Sequence, residues 1–264
     1  MDDGVDPVDD DVPSMARTFD FMLGGSENTP VDREFTEAAL DVFPGMPELC
    51  RDLRTFSRAV VAHLARHGVD QFLELGSGLP TVRPVHEVAA AAGARPRVVY
   101  VDVEERTVRH ARRLVEDVDG VAVVRGDVGD AAGILADPDV RATIDLTRPV
   151  AVLALGVLHY VGMDVAERSV HAIRDATTPG SALALSAMTD AGRPDITDWV
   201  TYAHQGLSYP PELREPEVMT PWLSGWELVP PGWVSAPDWT ADGTDVPGPG
   251  QARSGHWGVL ATRI

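Results

Sequence analysis

At 264 residues, with a 44% apolar fraction and six Trp, the chain can bury one large core or a domain with a small cap. Its formal charge of −19 opposes binding to nucleic acid or an anionic membrane, because phosphate neutralisation dominates that affinity. A single cysteine, Cys50, excludes an internal disulfide, and no signal peptide or apolar run of spanning length is visible, so a soluble cytoplasmic protein is expected.

Residues 1–13 hold six Asp and two Pro, the composition of a disordered acidic tail. From Ser14 to Asp32 apolar groups mix with Arg17, Asp20, Gly24, Gly25, Glu27 and Asn28. Leu23-Gly24-Gly25-Ser26 reads as a helix end running into a loop. Two helices are expected next, about Asp32 to Val42 and Glu48 to His67, separated by Pro44-Gly45-Met46-Pro47. In the second, Leu53, Phe56, Val60, Val61 and Leu64 recur at helical spacing. Residues 14–67 together are expected to form a helical cap or lid. Arg51, Arg54 and Arg58 read as a solvated face from which one side chain could reach a ligand. His63 and His67 have a chelating spacing but no third ligand, so no metal site is expected.

Phe72-Leu73-Glu74-Leu75-Gly76-Ser77-Gly78-Leu79-Pro80 is a buried strand breaking into a glycine-rich turn. Thr81 is placed as an N-cap, with Val85, Val88 and Ala89 spaced for the buried side of the following helix. Such a turn brings bare backbone close to a ligand. Val98-Val99-Tyr100-Val101 is a second strand ending in Asp102, 24 residues after Gly78, where a ribose-binding carboxylate is required. A third strand, Val121-Ala122-Val123-Val124, leads to Gly126-Asp127-Val128. These three features point to a ligand containing adenosine. Dinucleotide sites prefer a third small residue at the sixth position, which here is Thr81. Glu74 would repel a pyrophosphate but suits the cationic methionine end of S-adenosylmethionine.

Short helices are expected over Ala131 to Ala136 and Pro138 to Leu146, then a fourth strand, Val150 to Leu155. That strand runs into Gly156-Val157-Leu158-His159-Tyr160 at the carboxyl edge, where open α/β sheets place ligands. His159 and Tyr160 are the candidates for catalysis, as a base or an acceptor-orienting group, against the plainer reading that they pack. A helix over Ala166 to Thr177 and a fifth strand over Ser181 to Ala187 follow. Residues 189–224 read as a helical insertion walling an acceptor pocket, with helices over Pro194 to Gly206 and Glu212 to Leu223. Gly225 to Val229 and His256 to Ala261 are the last two strands, and Pro237 to Gly255 between them is an exposed loop.

The chain resembles the class I S-adenosylmethionine-dependent methyltransferases and, more closely, an actinobacterial family of S-adenosyl methyltransferases. The resemblance rests on Ser14 to Gly25, the Leu73 to Pro80 turn, Val85-His86-Glu87-Val88, Val99 to Asp102 and Leu155 to Val161. Tyr is usual in that family where this chain has Phe19 and Phe21, which argues against phenol chemistry there. The resemblance implies an α/β, Rossmann-like, seven-stranded, mainly parallel sheet with helices on both faces, spanning 68–264 behind the N-terminal lid. Glu74, Gly76, Ser77 and Gly78 would line the methionine end of the donor, Asp102 and Val103 its ribose and adenine, and Asp127 with Val128 the adenine amino group. Gly156 and Val157 would form the floor near the sulfur. The Ser14 to Asp32 segment is either an N-terminal helix packed on the main domain or a lid over the donor, and as a lid it would pair Arg17 with the donor carboxylate and Asp20 with its ammonium, with Gly24 and Gly25 also at the cofactor. The implied function is methyl transfer from S-adenosylmethionine to a small-molecule acceptor, with S-adenosylhomocysteine as product. The alternative is a non-catalytic binding or sensor protein for the same ligand; an NAD-dependent oxidoreductase is disfavoured by Thr81. No motif identifies the acceptor or the oligomeric state.

Overall fold

The chain is described by a computed structural model over residues 12–190, 193–206, 210–240 and 255–264. The expected acidic tail up to residue 11, and positions 241–254 of the expected exposed loop, lie outside the described residues.

Five apolar runs become parallel strands: β1 (Gln71–Leu75), β2 (Arg97–Asp102), β3 (Val121–Arg125), β4 (Ala151–Ala154) and β5 (Ala182–Met188). Three more follow, β6 (Trp226–Leu228), β7 (Val234–Ser235) and β8 (His256–Arg263). The order is β3-β2-β1-β4-β5-β8-β6, with β7 paired to β8 off that path. β8 runs antiparallel to β5, from Ala182↔Thr262 to Met188↔His256. Among the described residues the sheet therefore has eight strands rather than the expected seven. The extra one, β7, is two residues long and too short to leave a periodic pattern.

Burial on both faces explains the continuous apolar runs. Phe72, Val98, Tyr100 and Leu153 face one layer, built on α3 (Met46–Arg66), α4 (Val85–Ala91) and α5 (Glu105–Leu114). Leu73, Leu75, Val99, Val101 and Val152 point the other way, onto α6 (Ala131–Ala136), α7 (Pro138–Thr143) and α8 (Met163–Ala176). A third cluster joins α1 (Met15–Met22), α2 (Pro30–Val42), the start of α3 and α9 (Pro194–Gly206) through Met22, Ala39, Phe43, Leu49, Ile196 and Trp199. The N-terminal helices and the late insertion are thus packed on each other. A capping box, Thr29 with Asp32, and Pro30 in the first turn start α2.

Two local expectations need correction, and one helix was not anticipated. Thr81 is not an N-cap: α4 begins at Val85 behind Pro84, because Val82 and Arg83 take left-handed φ values of 49° and 61°. The expected helix over Glu212 to Leu223 shrinks to α10 (Pro216–Met219) and a tight turn at Thr220–Leu223, each beginning next to a proline. α5 had no expectation attached to it. It is so polar that only Thr107, Val108 and Ala111 are buried, and its apolar stripe is too thin to announce a helix.

β1 has β2 on one side and β4 on the other, so successive connections leave it in opposite directions. A crevice opens at the carboxyl ends of the strands at such a switch point. That is where the glycine turn, Asp102, Asp127 and Gly156 converge.

Candidate functional site

The crevice holds a cavity of about 280 Å³. Its floor is the ends of four strands: Glu74 and Gly76 to Leu79 at the end of β1, Asp102 to Glu104 at the end of β2, Gly126 to Val128 after β3, and Leu155 to Val157 with Tyr160 and Val161 after β4. One wall is a single face of α3, where Leu53, Arg54 and Ser57 fall at helical spacing. The roof is α1, through Met15, Ala16 and Phe19.

Ten of the fourteen expected ligand-binding residues line this cavity: Glu74, Gly76, Ser77, Gly78, Asp102, Val103, Asp127, Val128, Gly156 and Val157. The Asp102 carboxylate accepts from Gly78 N at 2.9 Å and Glu104 N at 3.0 Å, so it fixes the turn that it faces. Burial raises its pKa, and those backbone bonds oppose the rise. Asp127 caps the turn after β3 by accepting from Gly129 N at 2.7 Å. Gly76 is required for packing as well as for access. At its φ of +63°, a Cβ would stand 2.2 Å from Val157 Cγ2.

Two ionisable side chains in the cavity have no hydrogen-bond partner among the described residues. Glu74 is 8% exposed, and burial pushes its carboxyl up to about 7, with Arg54 only partly offsetting that rise. Arg54 is likewise 8% exposed; its guanidinium lies 5.7 Å from the centre of the Phe19 ring and meets no acceptor among the described residues.

The remaining expected residues lie elsewhere. Arg17 is buried against Asp32, donating from Nε to Oδ2 at 2.6 Å, and its Nη2 donates to Val12 O at 3.0 Å. Asp20 accepts from Glu27 N at 2.8 Å, Asn28 Nδ2 at 3.0 Å and the Thr81 hydroxyl at 2.6 Å. Gly24 and Gly25 close α1, donating to Phe21 O and Asp20 O. These four hold the N-terminal segment in shape and do not reach the cavity. His159 does not reach it either. Its ring is buried 6.1 Å from that of His256, and burial, His256 and Arg214 keep it far below the usual pKa, so it is neutral. Tyr160 lines the cavity, with burial pushing its phenol up to about 12.

Sequence reasoning missed Met15, Ala16, Phe19, Leu53, Ser57 and Glu104 as lining residues. For α3 a signal existed: Leu53 and Ser57 flank Arg54 on one helical face, but the evenly spaced arginines looked like a solvated stripe. Among the described residues there is no group of side chains suited to a metal ion, and no helix long and apolar enough to cross a membrane.

A family model described as S-adenosyl methyltransferase matches residues 2–263. The solved structure of a candidate methyltransferase from Thermobifida fusca YX is 36% identical, covers 98% of this chain and 99% of its own, and superposes with a TM-score of 0.85. A DUF574 family protein from Streptomyces avermitilis MA-4680 is 31% identical over 97% of this chain and 100% of its own, also at 0.85. The magnesium protoporphyrin IX methyltransferase of Synechocystis PCC 6803, solved with bound S-adenosylhomocysteine, shares the fold at 14% identity, covering 94% of this chain and 93% of its own with a TM-score of 0.56. A search of curated proteins gives no match.

Proposed function

The chain belongs to the S-adenosyl methyltransferase family, with S-adenosylmethionine as its cofactor, and from that premise we propose that it methylates a small molecule. The observation that carries the small-molecule reading is the roof: α1 closes over the glycine turn through Met15, Ala16 and Phe19, leaving a cavity of about 280 Å³. A donor site covered by a helix suits a compact acceptor better than a polymer. The charge of −19 points the same way for nucleic acid.

The residues present fit the cofactor. The turn from Gly76 to Pro80 carries no cationic side chain for a pyrophosphate, whereas Glu74 offers a carboxylate to a cationic ligand. Val103 and Val128 give apolar flanks to an adenine ring, and Asp127 an acceptor for its amino group. Asp102, held by two backbone N–H groups, is oriented to accept from ribose hydroxyls. When bound, S-adenosylmethionine supplies a methyl group on a positively charged sulfur, ready for in-line displacement.

The protein's own task is then alignment and exclusion of water. Gly156 and Val157 form the floor, and α1 acts as a lid within a cap formed by residues 14–67. Residues 189–224 wall the acceptor side. Tyr160, with its phenol protonated at neutral pH, orients an acceptor by donating a hydrogen bond rather than taking its proton. His159 plays no direct part, since its ring lies outside the cavity.

Incubation with S-adenosylmethionine labelled in the methyl group, together with a cell extract, tests this reading. Enzyme-dependent label in a small molecule other than the donor supports it; label only in protein or nucleic acid contradicts it.

A further inference from the structure

The turn after β4 is held from outside itself. Leu158–Tyr160 is a single tight turn whose own backbone bonds run from Tyr160 N to Val157 O at 3.0 Å and from Val161 N to Leu158 O at 3.3 Å. The segment entering α10 supplies further ones. Arg214 donates from Nη1 to Leu158 O at 2.5 Å and from Nη2 to Val161 O. Glu212 N donates to His159 O at 2.8 Å, and Arg214 N donates to Met188 O at 2.7 Å, at the end of β5. Three of the four carbonyls from 158 to 161 are thus bound by two residues of the late insertion.

Arg214 is a buried cation used on backbone. Its side chain is 2% exposed, while its carboxylate partner Glu212, at 2.9 Å, stands half in solvent. The guanidinium lies 6.0 Å from the centre of the buried Trp222 ring. A cation so buried is costly unless its donors are satisfied, and here two of them go to the carbonyls at either end of one turn. A planar fork spans two acceptors at a fixed separation, which a point charge on a flexible stem does not. The turn so gauged carries Tyr160 and Val161, both of which line the cavity.

Resting on the acceptor role given to Tyr160 above, we propose that Arg214 is a positioning residue: by bridging the two ends of the turn it sets where Tyr160 and Val161 stand in the cavity. Arg214 does not itself line that cavity, so it acts on the acceptor through the turn. The insertion over residues 189–224 thereby determines which acceptor fits, without its arginine touching one.

The test reads the phenol of Tyr160 directly. The four tyrosines are labelled with carbon-13 at Cζ, the Tyr160 signal is assigned with Tyr160→Phe, and wild type, Arg214→Met and Arg214→Lys are titrated by NMR up to about pH 11. In wild type the signal barely moves, because burial pushes that phenol up to about 12. Removing a cation alone would raise the value further, whereas loosening the turn exposes the ring and lowers it. In Arg214→Met the phenol's proton affinity is expected to fall about tenfold or more, toward the ordinary value of about 10. The Tyr100 signal stays in place, and affinity for S-adenosylhomocysteine stays within about threefold of wild type. Arg214→Lys falls between, keeping the charge without the fork. A Tyr160 signal that does not move in Arg214→Met overturns the proposal. So does disturbance of Tyr100 together with loss of S-adenosylhomocysteine binding, which would make Arg214 a general support of the fold. Where Arg214→Met does not fold, Arg214→Lys decides by the same reading, and an unmoved Tyr160 there overturns the proposal. The acceptor reading fails on a different result: if Tyr160→Phe transfers labelled methyl to the cell extract as fast as wild type, that reading falls and the proposal with it.

Discussion

Thr81, three residues beyond Gly78, donates its hydroxyl to Asp20 of the first helix at 2.6 Å. The bond joins the glycine turn to the roof of the cavity across 61 positions of sequence. It also explains the distorted path after the turn. Val82 and Arg83 adopt left-handed φ, and α4 is delayed to Val85 while Thr81 faces Asp20.

Asp20 should therefore be a structural keystone for the lid. Asp20→Ala removes the acceptor for Glu27 N, Asn28 Nδ2 and Thr81 Oγ1, and should cost about 3 kcal/mol, while Thr81→Val, losing one bond, should cost about 1 kcal/mol. Urea titration followed by Trp fluorescence measures both. Equal stability of Asp20→Ala and wild type would show that the link carries nothing.

The buried pair of Arg17 and Asp32 sets an acid limit. Desolvation raises the Asp32 pKa, but bonds from Arg17, Ser14 N, Thr29 N and the Thr29 hydroxyl outweigh it and hold the carboxyl below its ordinary value. A folded-state pKa lower than the unfolded one gives stability that is full above about pH 4 and lost as pH falls through the folded value. Arg17→Met leaves Asp32 buried without its cation and should cost about 3–5 kcal/mol at neutral pH. Denaturant midpoints between pH 2.5 and 7, with and without the substitution, check the sign.

Glu74 predicts the opposite slope. Its folded value of about 7 lies above the ordinary 4.5. Its contribution to the stability of the ligand-free protein is fully present below about pH 4.5 and lost as pH rises through 7. A cationic ligand wants the ionised form, so affinity for S-adenosylhomocysteine should rise about tenfold from pH 6 to pH 8 and then level off. Glu74→Gln should flatten both dependences. Titrations at several pH values distinguish this from a site indifferent to Glu74.

The sheet was legible because its strands carry their own signal. Leu73, Val99 and Val152 sit in short apolar runs that only a doubly covered parallel strand explains, and the carboxylate at the end of the second run was placed by spacing alone. The strand-end half of the candidate site was legible for the same reason: Glu74, Asp102, Asp127 and Gly156 each lie within two residues of a strand's carboxyl end. The helical half was not. Arg17 and Arg54 are both arginines on helices rich in apolar residues, and nothing local says that one is spent on Asp32 while the other opens into the cavity. That distinction depends on contacts 15 residues away in one case and on the packing of α3 against the sheet in the other. Thr81 misled for a related reason. Its partner lies in a different element, so a tertiary bond overrode a local capping preference.

The most direct measurement is isothermal titration of wild type and Asp102→Asn with S-adenosylhomocysteine, S-adenosylmethionine and NAD. The account predicts that wild type binds the first two and not NAD, and that Asp102→Asn weakens both by about tenfold or more, the loss of charge-assisted bonds to the ribose. Binding of NAD alone, or affinity for S-adenosylhomocysteine indifferent to Asp102, would contradict it.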